Sequence, residues 1–112
     1  MKVVQDNNGT RYLVPPDEIK SKPWAPTRVS VPVIYALQRM EKGEASAQDQ
    51  TAVLKWITRD LCGIGDLSYR PESARETDFA EGKRFCGLQI ERYIGINLKL
   101  YLEEENGQRT ES

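Results

Sequence analysis

DQTAVLKWITRDLCGIGDLSYRPESARETDFAEGKRFCGLQIERYI, residues 49–94, decides the fold, because it contains two helical patterns joined by a loop and no recognisable catalytic set. In its first part Val53, Leu54, Ile57, Leu61 and Ile64 recur at helical spacing, and Trp56 broadens the stripe. Ser46 just upstream is placed to cap this helix, and Gly63 and Gly65 are placed to stop it. The loop that follows holds Asp66, Tyr69 and Arg70 ahead of Pro71, and Ser73 with Glu76 has the spacing of a capping box, so a further helix starts there. That helix carries Phe79, Cys86, Ile90, Tyr93 and Ile94 on one face and Phe85, Leu88 and Ile96 on an adjoining one. Two apolar faces imply two neighbours. Gly82 and Gly87 each cost about 1 kcal/mol against Ala in a helix interior, which predicts close approach of another backbone or a bulky ring. Phe79, Gly82, Phe85 and Gly87 are therefore read as helix-packing positions.

Upstream, Val33, Ile34, Leu37 and Met40 predict a short helix over 33–42, stopped by Gly43. Before it, 19–32 contains Pro23, Pro26 and Pro32, which fix their own φ and push the preceding residues toward extended geometry, so the segment reads as a stiff arm. Trp24 in its middle suits an anchor in a pocket of another surface, and it equally suits a cap on the chain's own core. At the N-terminus, Val3 and Val4, then Asn7-Asn8-Gly9, then Tyr12, Leu13 and Val14 read as a hairpin that Pro15 and Pro16 end. Downstream, Ile96, Leu98, Leu100 and Leu102 alternate with polar or amphipathic residues, a strand pattern slightly preferred over a helical extension. The expected fold is mainly α: a three-helix domain with a small N-terminal β-hairpin and an extended Pro-rich arm, becoming α+β if 96–102 forms a strand. The divisions are 1–32 for hairpin and arm, 33–102 for the helical domain and 103–112 for a polar, disordered tail.

Composition bounds the function. A chain of 112 residues, 38% hydrophobic and 29% charged, has room for one core. It contains no apolar run of 18 residues and no basic-then-apolar leader, which predicts neither a membrane span nor a secretory signal. Sixteen basic residues against seventeen acidic leave a net charge of −1, which disfavours a strong electrostatic grip on nucleic acid. Cys62 and Cys86 are the only cysteines and lie among apolar neighbours, so both read as reduced core thiols, the rival being one disulfide between helices. With no His and two Cys, the usual four-ligand zinc shell cannot be completed from one chain.

The chemistry-bearing residues lead to the same class. Without His, a Ser or Cys nucleophile would need an unusual base, and no cofactor or catalytic residue is assigned. Asp78 and Glu81 share a helix face, but acids near a helix start ordinarily favour its dipole. Gly63-Ile64-Gly65 lacks the rest of a phosphate loop. A helix-turn-helix reader is disfavoured because the connection from Gly63 to Ser73 exceeds the short turn such a unit needs. Trp24, Pro26, Tyr69, Arg70 and Arg84 remain as candidates for contacting a protein partner.

The helix, its Asp60-Leu61-Cys62-Gly63 turn and the segment Thr77-Asp78-Phe79-Ala80-Glu81-Gly82-Lys83-Arg84-Phe85-Cys86-Gly87-Leu88-Gln89 together resemble a family of small tailed-bacteriophage proteins, the Bordetella-phage-type phage domain encoded near head and portal genes. The family pattern Thr-x-Phe-x-Glu-Gly-Arg-Arg is met here except for Lys83 at the first Arg. The likeness spans about residues 49–94 and leaves out the hairpin and arm. It implies a non-enzymatic virion or morphogenesis protein whose partners are other virion proteins or copies of itself, located in the host cytoplasm and then in the particle. A phage-encoded inhibitor of a host protein and a small nucleic-acid-binding regulator are the alternatives.

Overall fold

In a computed structural model, which describes residues 1–111 and the side chains of 1–105, a small sheet precedes four helices. The hairpin forms as expected. β1 (Lys2–Gln5) and β2 (Arg11–Val14) pair antiparallel, with Lys2 opposite Val14 and Gln5 opposite Arg11. The Asp6 carboxylate accepts from the backbone N–H groups of Asn8 and Thr10, both at 2.9 Å, and Gly9 takes a φ of 82°. Only the glycine adopts the left-handed region, so the turn is a three-residue loop rather than a two-residue Asn-Gly turn.

The arm is not extended along its length. Residues 16–25 fold into successive turns, with the N–H of Ile19 on the Pro16 carbonyl, Lys22 on Ile19 and Ala25 on Lys22. Its end becomes β3 (Val29–Ser30), which pairs with Leu13 and Tyr12 and makes the sheet three-stranded in the order β1-β2-β3. The prolines restrict φ to a value that turns and strands share, and turn hydrogen bonds select the compact option.

α1 (Val31–Glu41) begins directly after β3. Ser30 caps it, its hydroxyl accepting from the N–H of Val33 at 3.3 Å, and Pro32 sits inside the first turn, where a missing N–H costs nothing. Gly43, at φ 72°, closes the other end: its N–H reaches the Met40 carbonyl and that of Glu44 reaches Arg39, a Schellman arrangement. α2 (Ala47–Trp56) starts with a complete capping box between Ser46 and Asp49. Arg39 holds the same carboxylate through two bonds of 2.7 and 2.8 Å, locking α1 to α2.

The apolar stripe predicts one continuous helix to Ile64, but the α-helical ladder stops at Trp56. Ile57–Leu61 forms a π-helical turn, closed by the N–H of Cys62 on the Ile57 carbonyl at 2.8 Å. Buried Thr58 donates its hydroxyl to the Leu54 and Lys55 carbonyls, a back-bonding habit that competes with the regular ladder. Gly63, at φ 67°, then turns the chain.

α3 (Ala74–Gly95) is capped by the Ser73 hydroxyl, which accepts from the N–H of Glu76 at 3.1 Å. The reciprocal half of the predicted capping box is replaced by an ion pair of Glu76 with Lys22 on the arm, at 3.2 Å. After an extended Ile96 the chain enters α4 (Leu98–Glu111), where a strand and then a disordered tail were expected. A strand needs a neighbouring edge to take its backbone groups, and every described side chain from 97 to 105 is exposed, so local helical hydrogen bonds satisfy the backbone instead. The final residue of the expected tail, 112, lies outside the described residues.

The core sits between the sheet, α1 and α2 and is small: Val29, Ala36 and Val53 are its buried apolar side chains among the described residues, with Pro23 of the arm and Gly87 of α3 also buried. The molecule measures 61 × 42 × 23 Å, and its radius of gyration is 18.8 Å, against about 13 Å for a compact domain of this length. No helix among the described residues is long and apolar enough to cross a membrane.

Candidate protein-docking surface

The arm and α3 bind each other through polar and aromatic contacts. Lys83 donates to the Pro23 carbonyl at 2.7 Å, Lys22 pairs with Glu76, and Trp24 meets Phe79 edge-on with ring centroids 5.8 Å apart. The Arg75 guanidinium and the Lys22 ammonium flank the indole at 5.8 and 6.0 Å. Trp24 is thus laid on α3 of its own chain, yet remains 44% exposed. Trp24 therefore covers its own domain, with part of the indole left exposed.

The other candidate residues scatter. Pro26 is exposed and shares with Arg70 a furrow lined by the hairpin (Lys2, Val4, Val14), the arm, and Asp60, Asp66 and Lys83. Arg70 is half-buried and largely spent on the loop: its guanidinium donates to the Leu67 carbonyl at 2.7 Å, and its backbone N–H and carbonyl both bond the Thr77 hydroxyl. Arg84 is half-buried with Nε 3.4 Å from the Ile64 carbonyl, whereas Tyr69 projects into solvent. Glu81 accepts from the Ser68 hydroxyl, which gives that carboxylate a role in anchoring the loop.

Among the helix-packing positions, Gly87 does what its presence predicts. A Cβ there would run into Ile64 Cγ2, lie 2.7 Å from Cys62 Cβ and 3.3 Å from the Thr58 carbonyl oxygen, so α3 rests directly on the π-helical turn. Gly82 does not: a Cβ there meets nothing within 4 Å, and the residue is exposed. Phe79 packs on Trp24, but Phe85 is 60% exposed. Cys86 is likewise exposed, correcting its placement in the core, while half-buried Cys62 has its thiol pushed up by burial and by nearby Cys86; the two thiols are free.

What the sequence reading missed is the extent of apolar surface. Phe85, Leu88 and Tyr93 lie on α3, and Leu98, Leu100, Tyr101 and Leu102 follow on α4, all exposed. Ile94 lies two turns past Gly87 on the same face, yet it is 63% exposed because α3 has run beyond the body of the domain by then. The second apolar face of α3 was the available signal. The chain exposes 8612 Å² in all, whereas a compact monomer of 12.8 kDa exposes about 6,300 Å². Gln89 of α3 has its side-chain oxygen shielded from solvent with no donor among the described residues.

A second feature is a 620 Å³ cleft between the sheet and α2, lined by Tyr12, Arg28, Lys55, Trp56, Arg59 and Asp60 among others. The Trp56 indole donates to the Arg28 carbonyl at 3.0 Å, and the Arg28 guanidinium stacks 3.9 Å from the Tyr12 ring centre. These contacts tie the sheet to α2. Among the described residues no group of three or more Cys, Asp or Glu is placed to hold a metal ion.

No family model, no curated protein and no solved structure matches this chain.

Proposed function

We propose that this protein is a non-enzymatic assembly component of a tailed bacteriophage, acting through protein–protein contacts in the virion or during its morphogenesis. The observation that carries the assembly reading is the apolar surface of α3 and α4, which includes Phe85, Tyr93, Leu98 and Tyr101. Exposed large apolar side chains gathered along successive helices are what interaction sites present. The phage assignment draws its support from the resemblance of residues 49–94, above all Thr77-Asp78-Phe79-Ala80-Glu81-Gly82-Lys83-Arg84. Trp24, with its free edge beside Arg75, supplies a further aromatic contact of the type that anchors interfaces.

Protein identification on purified particles tests the reading. The expected result is the chain present at a fixed copy number that survives washing in high salt. Absence from both particles and assembly intermediates, with a host protein recovered on the chain instead, would establish the inhibitor alternative. Salt-sensitive retention on DNA would establish the regulator.

A further inference from the structure

We propose that the partner covering the α3–α4 ridge is a second copy of this chain, so that the folded unit in solution is an oligomer. This deepens the assembly reading above and rests on it only for biological context, since the surface itself is a property of the isolated chain.

The area comes first. The surface exposed by the chain exceeds that of a compact monomer of equal mass by roughly 2,300 Å², whereas a stable interface of standard size takes about 800 Å² from each partner. The excess is therefore large enough for a full interface on each copy. The excess belongs to the whole elongated chain, and a large share of its exposed apolar side chains gathers on α3 and α4. On α3, Phe85 and Leu88 point away from the face that Gly87 presents to the π-helical turn, and Arg92 continues the same line. On α4, Leu98, Tyr101 and Leu102 recur at i, i+3 and i+4, which is one stripe of a helix whose described side chains are all exposed.

Charge then favours a like partner. The α4 stripe runs into exposed Glu103, which pairs with Lys99 at 3.9 Å, and exposed Glu104, while exposed Arg92 continues the α3 patch. A stripe from one copy laid on the α3 patch of another buries apolar residues against apolar residues and brings acids toward bases. Each copy carries both halves, as a self-complementary contact requires. The near-neutral chain, at −1, adds no general repulsion between copies. Glu104 beside the stripe disfavours an anionic membrane or nucleic acid as the occupant, because either would meet like charge there.

The test is the mass of the purified full chain by light scattering and sedimentation, without any other virion protein. At micromolar concentration the wild type is expected at a multiple of 12.8 kDa, retained in 1 M salt because apolar burial dominates. Phe85→Glu and, independently, Leu102→Glu should each bring it to the monomer mass while near-ultraviolet signals from Trp24 and Trp56 persist. A wild type that stays at monomer mass up to hundreds of micromolar overturns the proposal. So does an oligomer that both variants leave intact, or a monomer that instead binds phosphatidylglycerol vesicles or a host protein through the same residues. Particle composition is a separate readout: an oligomer absent from virions leaves this inference standing and removes the phage role, and a monomer found in virions does the reverse.

Discussion

Gly87 and Gly82 occupy the same helix and have opposite consequences. At Gly87 the neighbours are Cys62 Cβ, a branched methyl of Ile64 and a backbone carbonyl, none of them the free end of a flexible chain. Gly87→Ala should therefore overpack the contact and lower stability by about 1–3 kcal/mol in urea unfolding. Gly82→Ala enters open space and should raise stability by up to about 1 kcal/mol, the difference in helix propensity. Equal effects from the two substitutions would show that propensity, not contact, governs both. Asp49 supplies a pH prediction. The Arg39 guanidinium, and next the Ser46 N–H, hold its carboxyl far below the usual carboxylate range. A depressed folded pKa contributes stability that is fully present above the unfolded value of about 3.9 and is lost as pH falls through the lower folded value. Asp49→Asn should lower the melting temperature at pH 7 and flatten the acid limb of the stability curve. A smaller dependence should remain, because Lys2, with Lys20 adding, lowers the pKa of Asp17 in the same direction.

At the scale of elements, the joint between arm and α3 depends on contacts that sequence spacing does not reveal, since Lys83 and Pro23 are 60 residues apart. The edge-on Trp24–Phe79 contact is worth about 0.5–1.5 kcal/mol beyond its buried area. Trp24→Ala should then lower stability by about 1 kcal/mol or more, with unfolding still cooperative, and an unchanged melting temperature would mean that the indole serves only an external partner. The cysteines test the joint between α3 and the π-helical turn. Because both thiols are free, added reductant should leave the melting temperature where it is, whereas losing a stabilising disulfide would cost 2–5 kcal/mol. The π-helical turn itself was not legible: Val53, Leu54, Ile57 and Leu61 fit a regular helix, and the Thr58 hydroxyl back-bonding that accompanies the departure leaves no mark on the apolar pattern.

For the whole molecule, the informative quantity is the mismatch between a small buried core and an elongated outline. Elements with strong local determinants were legible in residue order. Gly9 made the hairpin turn, Ser46 and Ser73 began helices, and Gly43 ended one, because caps and left-handed positions are settled within a few residues, whereas Ser30, read as part of the arm, caps α1. Periodicity likewise marked both α2 and α3 and the second apolar face of α3. What only the tertiary structure decided is which pattern found a neighbour. The arm end at Val29 and Ser30 became a strand because β2 offered it an edge, while residues 98–102, with a better strand pattern, became helix because no edge lay beside them. Gly87 became a contact and Gly82 a surface position for the same reason: burial depends on what lies opposite, and residues distant in the chain supply that.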